Sequence, residues 1–595
     1  MSSGWDFQIW KLIAIALIFF MQAGFAMCEA GFTRAKNTGN ITMKNLMDFC
    51  LGTVTFILIG GPILCAENAI AGGLFGDAAQ VYKGMFSEAA TYNWTDFIFN
   101  LVFCATTATI VSGAMAERTN FKAYCIYSMI ISAIVYPVEA YWNWGAGNNG
   151  WLQQLAQSWG LIDGTAQGFI DLSGSCSIHM VGGLTALIGA YVVGPRIGKY
   201  TRDESGKVTK INAIQGHNVL VGALGVFILW FGWYGFNPAA CTTWNGYEGM
   251  GQVFMTTTIA ASLATVTVMM ITWFKNGKPD VSMTLNGSLA GLVAITAGCS
   301  RVDLIGSVFI GIIAGFILVF GVEFFDKVCH IDDPVGACSV HFLNGLWGTI
   351  ACGLFSTTTG LFYGHGFAQL GIQVIGVLAI CAWTAAWAFL IFGVMKLIKR
   401  KDGKTPFLRA TPEEEIRGLD ISEHGLISAY PDFVAQVESI DYTGAIEVTG
   451  DVPVAEAVSV THLSENDAAV PAKTTKGTKF TKIEIVCKER MLDKLKDGLL
   501  SLGITGMTVT HVMGCGQQKG KPEYYRGIQI EATLLPKIQV EMVVAKVPVR
   551  DVIEKAKKIL YTGHIGDGKI FVYDVLNVIK VRTGEEGYDA LQDEE

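Results

Sequence analysis

This chain is short of charge. Only 16% of its 595 residues are Asp, Glu, Lys or Arg, against roughly a quarter in ordinary soluble domains. That shortage excludes a wholly water-exposed globular protein. With 51% hydrophobic residues and a mean hydropathy of +0.41, a membrane protein is the first expectation. Paired cysteine spacing is also missing. The 14 cysteines fall mostly inside apolar runs, so they read as buried free thiols rather than a disulfide framework or a metal site. No Walker-type phosphate loop occurs, which leaves an ATP-hydrolysing enzyme without a motif. The shortage of charge is uneven. Of 43 Lys and Arg, 21 precede residue 405 and 22 lie in the shorter remainder.

What is present before residue 405 is a series of apolar runs, each long enough for a ~30 Å hydrocarbon core. They predict eleven spans, at 9–32, 48–66, 95–115, 123–142, 170–194, 213–236, 251–273, 281–299, 303–325, 334–356 and 367–396. Arg34, Lys36, Lys44, Arg118, Lys122, Arg196, Lys199, Arg202, Lys207, Lys210, Lys275, Lys278 and Lys327 follow odd-numbered spans, and Lys396–Lys404 follows the last. The opposite side holds Lys11, Lys83 and Arg301. By the positive-inside rule the N-terminus is outside and the C-terminus cytosolic. A cleaved leader ending near QAGFA would leave Arg34, Lys36 and Lys44 outside, against every later loop, so the first run reads as a span.

Two stretches are nearly the same: GSCSIHMVGGL at 174–184 and GACSVHFLNGL at 336–346. Asp171 precedes His179 by eight residues, and Asp333 precedes His341 by the same eight. Five spans separate the copies, so the halves are expected to be inverted. Eight residues of helix rise about 12 Å, which carries each histidine near the midplane from opposite sides. Inverted repeats with a midplane site are a transporter architecture. One such histidine alone reads as a satisfied core residue. The symmetric pair reads as functional, because ionisable residues inside a membrane are costly. Two imidazoles sharing one proton suit a small solute that gives up and regains a proton. No third ligand is spaced to make a metal site.

These motifs resemble the ammonium transporter / methylammonium permease / Rhesus family, together with AMAER at 114–118, YWNWGAG at 141–147, WFGWYGFN at 230–237, DDPVGACSVH at 332–341 and GLDISEHGLISAY at 418–430. The resemblance implies eleven helices, a homotrimer in the plasma (inner) membrane, and a narrow pore in each subunit lined by His179 and His341. It implies that Trp144 recruits ammonium, with Asp171 beneath it, and that Phe103 and Phe236 close the outer mouth. Trp142 and Trp151 read as interfacial belt residues. Where the family often has a serine hydroxyl after the FN motif, this chain has Ala240, which removes that acceptor.

Residues 401–477 are expected to be a tail and linker. From 478 to 595 the pattern turns to βαββαβ, the ferredoxin-like order: strands at 482–487, 506–513, 538–545 and 569–575, helices at 489–502 and 549–561. GITGMTVTHV at 503–512, GCGQQKG at 514–520, EYYRG at 523–527, LPK at 535–537, TGHIGDGKIFVYDV at 562–575 and RTGEE at 582–586 are similar to the PII nitrogen-signalling family. Gly-rich backbone followed by a lysine is chemistry for phosphates. The resemblance implies ATP or ADP, with Mg and 2-oxoglutarate as further effectors, held by Thr505, Gln518, Lys537, Gly566, Asp567, Gly568, Lys569 and Arg582. It implies that Arg526, on a long loop, plugs the channel. The family's uridylylated tyrosine is Ile530 here, and a basic residue before Arg582 is Lys580. The expected fold is thus an all-α polytopic membrane domain over 1–400, with inverted five-helix repeats, joined to a cytosolic α+β ferredoxin-like domain. The expected activity is ammonium uptake as ammonia plus a proton, gated in cis, rather than catalysis by an enzyme. The alternative is an ammonium sensor. Lipids are expected around it, and no nucleic acid.

Overall fold

The computed structural model describes residues 5–89, 92–161, 166–241, 243, 249–426, 429, 480–488, 491–504, 506–514, 523–525, 528–530, 535–561, 567–581 and 583–591. They fall into two compact units, one N-terminal and one C-terminal. Among the described residues the first unit has ten apolar helices long enough to cross a membrane and one shorter apolar helix, Val281–Thr296. They are Phe7–Phe32, Ala35–Leu64, Trp94–Ala114, Phe121–Trp144, Ser175–Val193, Val219–Ala240, Met250–Asn276, Val281–Thr296, Leu304–Val328, Cys338–Phe355 and Ala368–Leu397, here spans one to eleven. Span two starts well before the expected 48. Its first turns carry Lys44 and Asp48, which interrupt the apolar run but are buried and paired. Lys44 donates to the Thr119 carbonyl (3.1 Å) and Asp48 accepts from the Tyr124 hydroxyl.

Packing repeats as the sequence does. Span two lies against spans three and four, and span seven against eight and nine; spans one and three pair as do six and eight; three and five pair as do eight and ten. Spans one and six pack along each other with small residues at the seam: a Cβ on Gly31 or Gly225 would strike the other helix's backbone. Without a hydrophobic drive between helices in lipid, such close approach supplies the attraction through van der Waals contact. Five crossings per half turn the second half over.

The face that carries most of the basic residues holds a buried ion network. Arg196 meets Asp332 through Nε (2.8 Å) and Nη2 (2.9 Å), and Glu117 through Nη1 (2.7 Å). Arg118 donates to the carbonyls of Asp332, Ala116 and Gly194. The tail closes this face. Thr411 and Glu414 form a capping box on Pro412–Arg417. Asp420 accepts from the amides of Gly39 (3.0 Å) and Asn40 (2.7 Å), and Glu423 from that of Phe121 (2.9 Å). Those amides open spans two and four, whose first N–H groups have no partner in their own helix. So the tail packs onto the membrane unit through Thr411–Glu423; residues 431–477 of the expected tail and linker lie outside the described residues.

The C-terminal unit is a four-stranded antiparallel sheet of β1 (Phe480–Cys487), β2 (Thr508–Gly514), β3 (Leu535–Val544) and β4 (Lys569–Val575), in the order β4-β1-β3-β2. Alternating residues of β1 face the core, among them Ile483 and Ile485. Helices Leu492–Leu500 and Val549–Leu560 cover that face with Leu495, Leu499, Val552 and Ala556, spaced one turn apart. This is the ferredoxin-like arrangement. β3 starts three residues earlier than expected because Pro536 sits opposite Met513 near its start, where a missing N–H is tolerated.

Burial would raise the Asp332 carboxyl, but Arg196 and Arg118 outweigh burial and hold it well below the usual carboxylate range. A carboxylate depressed on folding stabilises the fold above its unfolded value, near 4, and that contribution is lost as pH falls toward the folded value. Asp332→Asn should cost about 3–5 kcal/mol at neutral pH, because Arg196 is left buried without its partner charge. Its melting temperature should approach the native one as pH falls below about 4, measurable by thermal unfolding of the purified protein across pH.

Candidate functional site

The duplicated motif decodes position by position. Asp171 accepts from the amides of Gly174 (3.0 Å), Cys176 (3.1 Å) and Ser177 (2.9 Å). Asp333 accepts from Gly336 (2.9 Å) and Cys338 (2.7 Å). Each carboxylate thus caps the turn that starts its helix. Gly174 (φ 95°) and Gly336 (φ 83°) lie in the left-handed region, which glycine enters without strain. This departs from the expected continuous helix beginning at each aspartate: the helices begin at Ser175 and Cys338, because the left-handed residue breaks them. Both open with a wide π-type turn, in which the His179 amide donates back to Gly174 (2.9 Å). Gly183 and Gly345 are the crossing point. A Cβ on Gly183 would run into the backbone at His341–Phe342, and one on Gly345 into that at Ser175 and Met180.

The crossing brings the histidines together. His341 Nδ1 lies 3.3 Å from His179 Nδ1, both side chains buried. Of two nitrogens in such a contact one donates and the other accepts, so the pair holds one proton between the rings. Neither Nε2 has a protein partner among the described residues. Above His179 the rings form a column. Phe236 lies 5.6 Å from His179, Phe103 4.5 Å from Phe236, and Trp144 6.0 Å from Phe103. Trp144 donates to the Asp171 carbonyl (2.9 Å), so the residue that caps span five also aims the indole. Trp144, Phe103 and Ala240 line an open cavity of about 610 Å³, with Lys11, Asp96 and Asn100. On the far side of the pair, His341 and Glu29 line a small cavity of about 20 Å³. Trp142, expected in the interfacial belt, is instead buried, donating to the Leu74 carbonyl (3.0 Å) and packing on Trp383. Among the described residues no cluster of three His, Cys, Asp or Glu could hold a metal ion.

Trp233 was not anticipated. Its ring stacks on His179 at 5.0 Å and 18°, and its Nε1 donates to Thr296 (2.9 Å). The signal was its place three residues before Phe236, on the same helix face. Glu29 was also passed over, though a carboxylate within an apolar span is itself a signal.

In the C-terminal unit Lys537, Gly568 and Lys569 come to one end of the sheet. Lys569 pairs with Val486, and Ile538, next to Lys537, pairs with Cys487. Gly568 has φ 133°, and a Cβ there would strike the Val486 carbonyl. Lys488, which the sequence reading omitted, joins them and pairs with Asp567 (3.2 Å). Three cationic side chains beside a glycine-only backbone suit a phosphate. Thr505, Gln518, Arg526, Gly566 and Arg582 lie outside the described residues.

Two overturned halves meeting at a buried polar pair define a transporter fold. Known proteins make the class specific. The model of the Ammonium Transporter Family matches residues 9–429, and that of the nitrogen regulatory protein P-II matches residues 480–585. The chain is 42% identical over 440 residues to ammonium transporter Amt2 of Archaeoglobus fulgidus, spanning 72% of this chain and 88% of that protein. It is 39% identical over 424 residues to putative ammonium transporter sll1017 of Synechocystis sp., spanning 70% and 88%. A solved structure titled Sensor Amt Protein matches with TM-score 0.61 and 33% identity over 70% of this chain and 98% of that one. Candida albicans Mep2 matches with TM-score 0.57 and 26% identity over 69% and 87%. This chain belongs to the ammonium transporter family and ends in a P-II domain.

The twin caps can be tested. Asp171→Ala and Asp333→Ala each leave buried amides without acceptors, so each should lower stability by roughly 1–3 kcal/mol. Thermal unfolding of the two variants should show similar losses.

Proposed function

We propose that this chain takes up ammonium across the plasma membrane, with its N-terminus outside and its P-II domain cytosolic. Ammonium binds at the Trp144 end, loses its proton below the Phe103–Phe236 pair, and crosses as ammonia past the histidines, which pass the proton along. The observation that carries this is the 3.3 Å histidine contact directly beneath the aromatic column. Each group has a defined task. The Trp144 face attracts a cation. Phe103 and Phe236 keep hydrated ions out. The paired imidazoles accept one proton at a time, since two charges in a low-dielectric site repel. Trp233 fixes the plane of the His179 ring by stacking. Ala240 offers no hydroxyl, so recruitment rests on Trp144.

Trp144→Leu keeps apolar bulk and removes the cation-attracting face. It should weaken apparent affinity by up to about tenfold, the scale of ~1–2 kcal/mol. Uptake against ammonium concentration, in cells that lack other ammonium transporters, measures it. An unchanged half-saturation would place recruitment elsewhere.

The P-II domain gates this passage in cis. Lys488, Lys537 and Lys569 would hold the phosphates of ATP or ADP, with Mg and 2-oxoglutarate as co-effectors, in a homotrimer. When bound, the nucleotide supplies negative charge that sets the position of the loop carrying Arg526. A guanidinium in the pore mouth blocks ammonium by bulk and by charge. Tethering gives this plug an effective concentration on the order of millimolar. Ile530 offers no hydroxyl for uridylylation, so small ligands alone switch it, and only by their differential affinity for the two loop states. Arg526→Ala should therefore raise uptake in ADP-rich vesicles and change it little when ATP and 2-oxoglutarate are abundant. Equal uptake in both backgrounds, unaffected by deleting 478–595, would leave the P-II domain an output module. That second reading, an ammonium sensor, is favoured by the 33% identity to the structure titled Sensor Amt Protein.

A further inference from the structure

Glu29, near the end of span one, is 3% exposed and stands outside the ring column. One oxygen is fixed: Oε2 accepts from the Ser112 hydroxyl (2.6 Å) and from Asn45 Nδ2 (3.3 Å). Oε1 has no protein partner among the described residues. Neither does His341 Nε2, on a side chain only 5% exposed. Both residues line the same small cavity of about 20 Å³. The rest of its wall is mainly apolar, with Phe25, Ile110, Leu229 and Val340. That volume admits one molecule the size of water or ammonia, and such a molecule needs polar partners to stay. Here a free imidazole nitrogen and a free carboxylate oxygen supply them.

We infer that Glu29 is the proton acceptor on the His341 side of the pair, working through a single water or ammonia held in the cavity the two share. The inference rests on the reading of the histidines as the conduction route. The step balances. An N–H bond on His341 Nε2 breaks as its proton passes to the bridging molecule. That molecule releases a proton of its own, and an O–H bond forms on Glu29 Oε1. The imidazolium becomes neutral imidazole and the carboxylate becomes carboxylic acid. When the next ammonia enters the cavity, the O–H bond breaks, an N–H bond forms, and ammonium leaves with the carboxylate restored. Ser112 and Asn45 keep the acceptor oxygen aimed by holding the other one. Lys44 and Asp48 of span two are the other charged groups of this polar cluster; both have side-chain or backbone partners of their own.

The test uses the full-length protein in proteoliposomes, with ammonium-evoked current and thermal unfolding measured on the same preparations. Glu29→Gln keeps the shape and cannot take the proton. It should lower the current about tenfold or more with melting close to native, and Glu29→Asp should recover most of the current. Glu29→Gln current within about twofold of native would overturn the inference while leaving the histidine route standing. So would Glu29→Asp failing as badly as Glu29→Gln, which would mark Glu29 as packing alone. A native protein that carries no current would overturn both the conduction reading and this inference.

Discussion

The membrane unit depends on one close approach. Spans five and ten cross where Gly183 presses on the backbone at His341–Phe342 and Gly345 on that at Ser175 and Met180, and that close approach sets how near the two histidines come. A Cβ at either glycine would clash with the facing backbone, so the helices would have to move apart at the place where the imidazoles meet at 3.3 Å. The other shared positions of the motif serve the same end. The aspartates cap, the left-handed glycines turn the chain, and the wide first turns swing His179 and His341 inward. Seven identical pairs in register are what one geometry, used twice, requires.

Much of this was legible. Apolar length gave ten of the spans, because hydrophobic thickness is a hard constraint; the eighth, Val281–Thr296, is an apolar helix of only 16 residues. The order of strand and helix segments after residue 478 gave the ferredoxin-like arrangement. The motif's repetition was plain, but the meaning of its glycines was not, since crossing partners far apart in sequence leave no local trace. Trp233 was hidden among other tryptophans in an apolar run. The sequence alone starts span two late because Lys44 and Asp48 break the hydropathy pattern, and only tertiary contact shows that each has a partner.

Charge, scarce along the chain, is concentrated where it does structural work at one face. Arg196 ties spans three, five and ten through Glu117 and Asp332. Asp420 and Glu423 supply carboxylates to the positive starts of spans two and four, where a negative group is favoured by the helix dipole. The tail is therefore part of the membrane unit's folding problem. Spans two and four are complete only once residues near 420 have been made and docked.

The inverted halves have one more consequence. A passage built from two copies related by a twofold axis in the membrane plane has no direction of its own. Run backwards, it meets the same motif in the same order. Whatever rectifies flow must come from the places where the copies have drifted apart: an indole and two phenyl rings before one histidine, a carboxylate-lined pocket after the other. The symmetry sets the path, and the asymmetries set which way it is easier to travel.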